Sequence, residues 1–498
     1  MTNKNGFMKL SKAQELFVLC GVLLISLFLN MWNNDFSFGY HVDEPKKVKF
    51  IQKGGNDFHH PLLMLQVVRV ANRLFDFKDH NKIVRLGRMS TAVFGVLLIL
   101  FSYLVFRFCL DKPYALMAAL TLAASPIIVI HAHYFKEDII FTYFAMLSLF
   151  FLLRYAENYS LVNGLWLGIA TGLALSSQYK GILLIPFYFA IPLFVLSARY
   201  RRYFLNLLLT LLVAVIIFCA INYPVFWDFQ TFKESVSWNT QHVIQGHDVK
   251  MYPWPFFFGF HLVYSLLPGL TWILLGLALS GIIYSLIHWR KIPWQEKILL
   301  VYGLLFYFAV ELTPMKAFPD FSRHVIPAVP AFVYFAVKSI LLIQKRMDQK
   351  KIAMAVVAVL CLMILWLPFY DSMKLTFNLN KDTREQAIEW MTKSTDKIMC
   401  EQYVFPYFFV KSLADYDVRT WQRLGYTYLV ASSFQYERYF FAHKLKGQDE
   451  EVYRAYERYK ELFNYPYEEI KPVFKTFAFS NPVIRIIDIR RPDAQEND

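Results

Sequence analysis

The chain has 498 residues, is 56% hydrophobic and 18% aromatic, and has a mean hydropathy of +0.34 and a formal net charge of +14. Recurrent apolar runs of about 18–20 residues exclude an ordinary soluble globular protein and mark a polytopic membrane protein. Nucleic-acid binding is excluded by where the charge lies: residues 371–498 hold 19 Lys+Arg and 20 Asp+Glu, and the other 33 Lys+Arg recur in clusters between apolar runs, as the positive-inside rule requires.

The first apolar stretch, within "KLSKAQELFVLCGVLLISLFLNMW", is longer than the core of a signal peptide and has no small-residue cleavage site after it. It reads as a retained membrane helix. Further helices are predicted at roughly 84–107, 114–131, 138–154, 161–177, 181–198, 203–221, 262–288, 297–312, 325–343 and 351–369, about eleven in all. With a cytoplasmic N-terminus, the inner loops "SARYRRYF", "HWRKIPWQEK" and "IQKRMDQKK" gather the basic residues, and the tail falls outside. The first outer loop contains an amphipathic stretch, "PLLMLQVVRVANRLF", suited to lying in the interface. A later outer loop holds Trp227, Trp238 and Trp254, read as interfacial belt residues with substrate contact as the alternative.

The chain divides into a membrane module at 1–370 and an extracytoplasmic α/β domain at 371–498. In the tail, "KDTREQAIEWMTKS" opens with Asp382 and Glu385 in capping-box spacing. "KIMCEQY", "YTYLVASS", "VFKTFAF" and "VIRIIDI" are predicted strands, and "EEVYRAYERYKELF" an amphipathic helix. Cys20, Cys109, Cys219 and Cys361 fall in or beside apolar runs and Cys400 is alone in the tail, so neither a tail disulfide nor a CxxC metal site is expected.

Four polar clusters share the outer side. Asp43 and Glu44 lead to "DFHHPLL" with His59 and His60; "HAHYFKEDII" supplies His131, His133, Lys136, Glu137 and Asp138; "SSQYKGILL" supplies Lys180; "KAFPDFSRHVIPAVP" supplies Lys316, Arg323 and His324. A solubilised loop explains any one of them. Recurrence of acids and bases at helix mouths facing one compartment instead suggests a site, because charge at a membrane boundary is costly. Such a set suits attack by a hydroxyl or amine on a sugar held by a lipid phosphate. A carboxylate takes the proton, and cations stabilise the departing phosphate. A divalent metal at the histidines is the minor alternative, disfavoured because helix positions i and i+2 do not share a face. No cofactor is otherwise called for.

In this order the clusters resemble the GT-C membrane glycosyltransferases, in particular the dolichyl-phosphate-mannose protein mannosyltransferase and aminoarabinose lipid A transferase superfamily. "HVDEPKK" resembles its first acidic motif, implying Asp43 as catalytic base with Glu44 as a catalytic residue beside it, and "HAHYFKEDII" its second, implying Asp138 as a further catalytic residue with Glu137 as neighbour. The resemblance further implies Lys180, Arg323 and Lys316 as donor-phosphate contacts and Glu137, His60 and His324 as substrate contacts. His324 stands where that family usually has Tyr. "DTREQAIEWM" and "NPVIRIIDIR" resemble the family's outer domain. Membership implies a polyprenyl-phosphate-linked sugar donor, a lipid, glycan or protein acceptor, inverting displacement at the outer face, and residence in a membrane, taken as the bacterial inner membrane. A secondary transporter or flippase is the alternative from another class. Transporters, however, keep ionisable groups at mid-membrane with repeat symmetry, and no internal repeat is visible. A membrane-anchored scaffold would leave the loop acids idle.

Overall fold

The computed structural model describes residues 10–37, 39, 41–56, 58–193, 200–245, 249, 259–313, 321–346, 351–404, 410–445, 447–473 and 478–490. The regular elements described in its membrane part are all helices. The chain enters through α1 (Lys12–Met31), whose N-cap Ser11 and Gln14 form a reciprocal capping box that satisfies two orphan donors. The segment between α1 and the next long helix folds into α2 (Glu44–Lys53) and α3 (Leu63–Phe75). The amphipathic stretch does become helix α3: it buries Leu63, Met64, Leu65 and Val68 and leaves Val70, Leu74 and Phe75 exposed. Next come α4 (His80–Phe106), α5 (Lys112–Ala123), α6 (Pro126–Ala132), α7 (Glu137–Asn158), α8 (Leu161–Ser177), α9 (Leu184–Ala190), α10 (Tyr200–Ile221) and α11 (Phe229–Gln245). The remaining membrane-part helices are α12 (Leu267–Leu270), α13 (Trp272–Ile287), α14 (Trp294–Glu311), α15 (Val329–Arg346) and α16 (Lys351–Asn378).

Six of the described helices are long and apolar enough to cross a membrane, or up to eight if each of two bent pairs is one span. The count of eleven is therefore not reached by this measure, and the reasons are local. Pro126 has no N–H to continue α5, so the chain bends by 54° into α6. Residues 262–288 bend by 114° at Thr271, which adopts φ +74. Helix α8 has only 17 residues, and the segment expected at 181–198 breaks into short turns before passing outside the described residues. Where helices α13 and α15 cross, Gly281 permits very close approach: a Cβ there would lie 2.1 Å from the carbonyl oxygen of Phe335.

Helix α16 runs through residue 370 to Asn378, and its last turns bury Ser372, Leu375 and Thr376. Beyond it lies a four-stranded sheet of β1 (Ile398–Cys400), β2 (Tyr428–Ser432), β3 (Tyr467–Ile470) and β4 (Ile484–Asp488), in the order β1-β2-β4-β3. The β1–β2 pair is parallel, and β4 is antiparallel to both neighbours. Three of these strands match the sequence expectation. The strand expected at 473–479 lies mostly outside the described residues, and the fourth observed strand is β3. Four helices accompany the sheet: α17 (Thr383–Lys393), α18 (Val418–Arg423), α19 (Ser433–Ala442) and α20 (Glu450–Leu462), the last burying Val452, Ala455, Tyr459 and Leu462 at helical spacing.

One core of this domain contains a carboxyl group. Glu401 is fully buried and accepts from Tyr459 Oη at 2.7 Å and from the backbone N–H groups of Ser432 (2.5 Å) and Leu413 (3.3 Å). Burial outweighs these donors and pushes the carboxyl up to about 7. The folded state therefore holds a proton that the unfolded chain releases, so this group's contribution is present below the ordinary glutamate range and lost as pH rises toward about 7. Thermal unfolding of the full-length protein followed from pH 5 to pH 8 is expected to show the domain losing stability, on the order of 3 kcal/mol. Glu401→Gln should flatten that part of the dependence, and an unchanged slope in the variant would remove the assignment.

Candidate functional site

The adjacent acids at 43 and 44 face different surroundings. Glu44 opens α2 and is fully buried, forked by Arg88 through Nε to Oε1 (2.9 Å) and Nη2 to Oε2 (2.6 Å), and it also accepts from the backbone N–H of Phe135 at 3.1 Å. Arg88 ties the same loop further, donating to the carbonyls of Phe36 (2.6 Å) and Ser37 (3.3 Å) and lying 3.5 Å over the Phe36 ring. Glu44 is thus committed to holding the loop. Asp43 stays 38% exposed at its side chain and accepts from Lys136 Nζ, with Arg323 Nη1 at 3.5 Å.

Phe135 and Lys136 come from the break between α6 and α7. Gly87 of α4 makes room for this segment: a Cβ there would lie 2.4 Å from the Phe135 ring. Phe135 then presents its N–H to Glu44 and its carbonyl to Lys47 Nζ at 3.1 Å. Lys136 also meets His60 Nε2 at 3.2 Å and Glu137 at 3.8 Å, which places its ammonium between the two acidic motifs.

Glu137 and Asp138 occupy the first turn of α7, where the helix dipole favours carboxylates. Glu137 accepts from Lys47 and lies 4.0 Å from His60. Asp138 accepts from Gln178 Nε2 at 2.7 Å and pairs with Lys180 Nζ at 3.8 Å. Four buried atoms here have no hydrogen-bond partner among the described residues: Glu137 Oε2, Asp138 Oδ2, Lys180 Nζ and His324 Nε2. Buried polar atoms in this state are expected to be satisfied by something else, a ligand or water.

The structure thus brings Asp43, Lys136, Arg323, His60 and Glu137 together, with Asp138 and Lys180 joined through the first turn of α7. Lys316 lies outside the described residues. The histidine pairs diverge: His131 Nε2 meets Ser322 Oγ at 3.1 Å, while the ring nitrogens of His133 face the carbonyls of Val129 and Trp32, at 2.7 and 3.0 Å. His59 stacks edge-on with Trp238, centroids 4.6 Å apart. Among the described residues no group of three or more His, Cys, Asp and Glu is arranged to hold a metal ion. Of the tryptophans named above, Trp227 is exposed and Trp254 lies outside the described residues. Sequence reasoning quoted Lys136 without giving it a role and missed Lys47, Arg88 and Gln178. The available signal for Arg88 was a second arginine, three residues after Arg85, inside the predicted span 84–107.

The electrostatics follow from this packing. Burial pushes the Asp43 carboxyl up, but the Lys136 ammonium, with the Arg323 guanidinium, outweighs it and holds the group well below the usual carboxylate range. His60 is pushed down to about 4, chiefly by burial, against the pull of Glu137. At neutral pH the site therefore presents an ionised Asp43 and a neutral His60.

Residues 59–227, which contain most of these groups, match the family described as dolichyl-phosphate-mannose-protein mannosyltransferase. No curated protein matches the chain in sequence. Among solved structures, the Archaeoglobus fulgidus oligosaccharyltransferase tethered to an acceptor peptide superposes with a TM-score of 0.61 at 15% identity, covering 95% of this chain and 74% of that one. The same organism's AglB, in complex with an inhibitory peptide and a dolichol-phosphate, gives 0.57 at 14% identity over 92% and 79%. ArnT from Cupriavidus metallidurans bound to undecaprenyl phosphate gives 0.53 at 14% identity over 96% and 98%. The chain has the GT-C fold that these solved structures share. In this GT-C chain the two acidic motifs stand on the loop before α2 and on the first turn of α7, bridged by Lys136. The sequence resemblance singled out the same two acidic motifs.

Proposed function

We propose that this GT-C protein transfers a sugar from a polyprenyl-phosphate-linked donor to an acceptor hydroxyl or amine at the outer face of the membrane, by one inverting displacement. The observation that carries the reading is a half-open, ionised Asp43 within reach of Lys136 and Arg323, together with a Lys180 ammonium, paired with Asp138, that has no hydrogen-bond partner among the described residues. The acceptor oxygen or nitrogen bonds to the anomeric carbon as the bond from that carbon to the phosphate oxygen breaks. The acceptor proton passes to Asp43, once the Lys136 contact loosens. The bonding electrons leave with the lipid phosphate, whose charge is met by Lys180, Arg323 and Lys316. Asp138 orients Lys180, and Glu137, His60 and His324 contact the sugar or acceptor. Glu44 supports the loop that carries Asp43.

In this reading residues 1–370 form the transferase module, with eleven spans counting the short and bent helices. Residues 371–498 form an extracytoplasmic domain, and the N-terminus is cytoplasmic in a bacterial inner membrane. The match to the mannosyltransferase family and the undecaprenyl phosphate in ArnT both support a lipid-phosphate donor. The acceptor is a lipid, glycan or protein.

The test compares cells with and without the gene by mass spectrometry of glycolipids and glycoproteins. It is paired with purified protein in proteoliposomes offered a panel of undecaprenyl-phosphate-linked hexoses, aminosugars and pentoses. A sugar-bearing species that appears only with the wild-type gene, and consumption of one donor, are expected; neither appearing would overturn the reading. Lys180→Ala and Arg323→Ala should each weaken undecaprenyl phosphate binding about tenfold or more, the worth of one charge-assisted hydrogen bond. Unchanged binding and unchanged turnover in both would remove the phosphate assignment.

A further inference from the structure

We infer that the C-terminal domain is a working part of the Asp43 site, with Phe479 acting through His41 as a positioning residue for the catalytic carboxylate. The inference rests on the glycosyltransferase reading above. It starts from a sequence feature that reading left unused, the "DTREQ" start of α17. Asp382 caps α17 by accepting from the Arg384 backbone N–H at 3.0 Å. The Arg384 guanidinium then folds back on Asp382 (2.9 and 2.8 Å) and donates to the carbonyl of Phe479 at 2.6 Å. Asp382 also accepts from the backbone N–H of Asn481 at 2.8 Å. A buried, forked ion pair thus fixes the backbone on which Phe479 stands.

The Phe479 ring packs against His41, centroids 4.7 Å apart, and His41 packs against Tyr134 at 4.9 Å. The Phe479 and Tyr134 rings belong to one apolar cluster that spans both parts of the chain, with Leu29, Phe36 and Ile130 from the membrane part and Tyr403 and Phe434 from the domain. His41 is fully buried and bonds twice to the catalytic turn. Its Nδ1 accepts from the Asp43 backbone N–H at 3.3 Å, and its carbonyl accepts from the Glu44 N–H at 3.0 Å. Burial pushes the ring well below the ordinary histidine range, so it is neutral, with Nδ1 free to accept and the proton on Nε2. A second tie runs beside this one: Ser37 Oγ donates to Glu385, the residue expected to complete the capping box. Arg88 holds the Asp43 loop from the membrane side, and Phe479 holds it from the domain.

The test uses full-length protein in proteoliposomes and the panel donor that wild-type protein consumes, reading kcat, donor KM and undecaprenyl phosphate binding. Phe479→Ala and His41→Leu should each lower kcat on the order of 10²-fold, the cost of misplacing a reacting group by about 1 Å, with donor KM and undecaprenyl phosphate binding unchanged. His41→Asn, whose side-chain oxygen takes the place of Nδ1, should recover most of kcat. The double variant should be no slower than His41→Leu alone, because both act through one contact. Tyr459→Phe, in the separate core of the same domain, should lower Tm without changing kcat. Wild-type kcat in Phe479→Ala, additive losses in the double variant, an equal loss in Tyr459→Phe, or no recovery in His41→Asn would each overturn the inference. If Phe479→Ala instead fails to fold, the comparison of His41→Asn with His41→Leu still decides whether the ring nitrogen positions Asp43. Wild-type protein that consumes no donor of the panel would remove the underlying glycosyltransferase reading, and an Asp43→Asn variant that keeps full rate would remove the base that Phe479 is said to position; an inactive Asp43→Asn beside a fully active Phe479→Ala would remove only the positioning role.

Discussion

Asp43→Asn is expected to lower turnover by roughly 10²–10⁴-fold, the usual worth of a positioned general base, while the protein still folds, inserts and binds undecaprenyl phosphate. The substitution keeps the shape of the side chain and an oxygen to accept from Lys136, and it removes only the charge that receives the proton. The pH profile adds a second, independent check. The Lys136 ammonium and its neighbours outweigh burial and hold Asp43 well below the usual carboxylate range, so the base is ionised through and below neutral pH. No acid limb attributable to Asp43 is therefore expected above about pH 4. Lys136→Ala removes the dominant opposing charge, leaving burial to push the group up, so the acid limb should move to higher pH. Full activity in Asp43→Asn would remove the base assignment. An acid limb that stays in place in Lys136→Ala would show that Lys136 does not set it.

The candidate acids were legible in the sequence because they recur near the mouths of apolar runs predicted to face one compartment, although a solvated loop explains any one of them alone. Their different duties were not legible. Asp43 and Glu44 are neighbours of similar chemistry, and what separates them is Arg88, 44 residues further on at the basic head of α4, where the sequence does not show that Arg88 turns inward while Arg85 faces out. Lys47 escaped notice for the same reason: its partner Glu137 is 90 residues away, and "PKK" reads as a solvated helix start. The count of eleven is not reached by length and composition among the described residues, in part because hydropathy does not register a bend. The runs at 114–131 and 262–288 are continuous in hydropathy, yet Pro126 and Thr271 break them. In the tail, alternation placed three of the four strands, whereas β3, "YEEI", has exposed or half-buried acids at its centre and carries no apolar signal.

Arg88→Met is expected to cost about 3–5 kcal/mol of stability, the range for removing one partner of a buried ion pair. Both side chains are fully buried, so the variant leaves the Glu44 carboxylate without its fork and the carbonyls of Phe36 and Ser37 without their donor. Arg88→Lys should rescue little, because a single ammonium cannot span both carboxylate oxygens and two carbonyls as the planar guanidinium does. The double variant Arg88→Met with Glu44→Leu should be more stable than Arg88→Met alone, since no uncompensated charge remains. It should still turn over slowly, because the loop carrying Asp43 has lost its ties to α4. Thermal unfolding in detergent gives the first comparison and turnover at saturating donor the second. If Arg88→Met unfolds within about 1 kcal/mol of wild type, the pair is not the anchor of this loop. If the double variant regains full turnover, Asp43 does not depend on that anchor for its position.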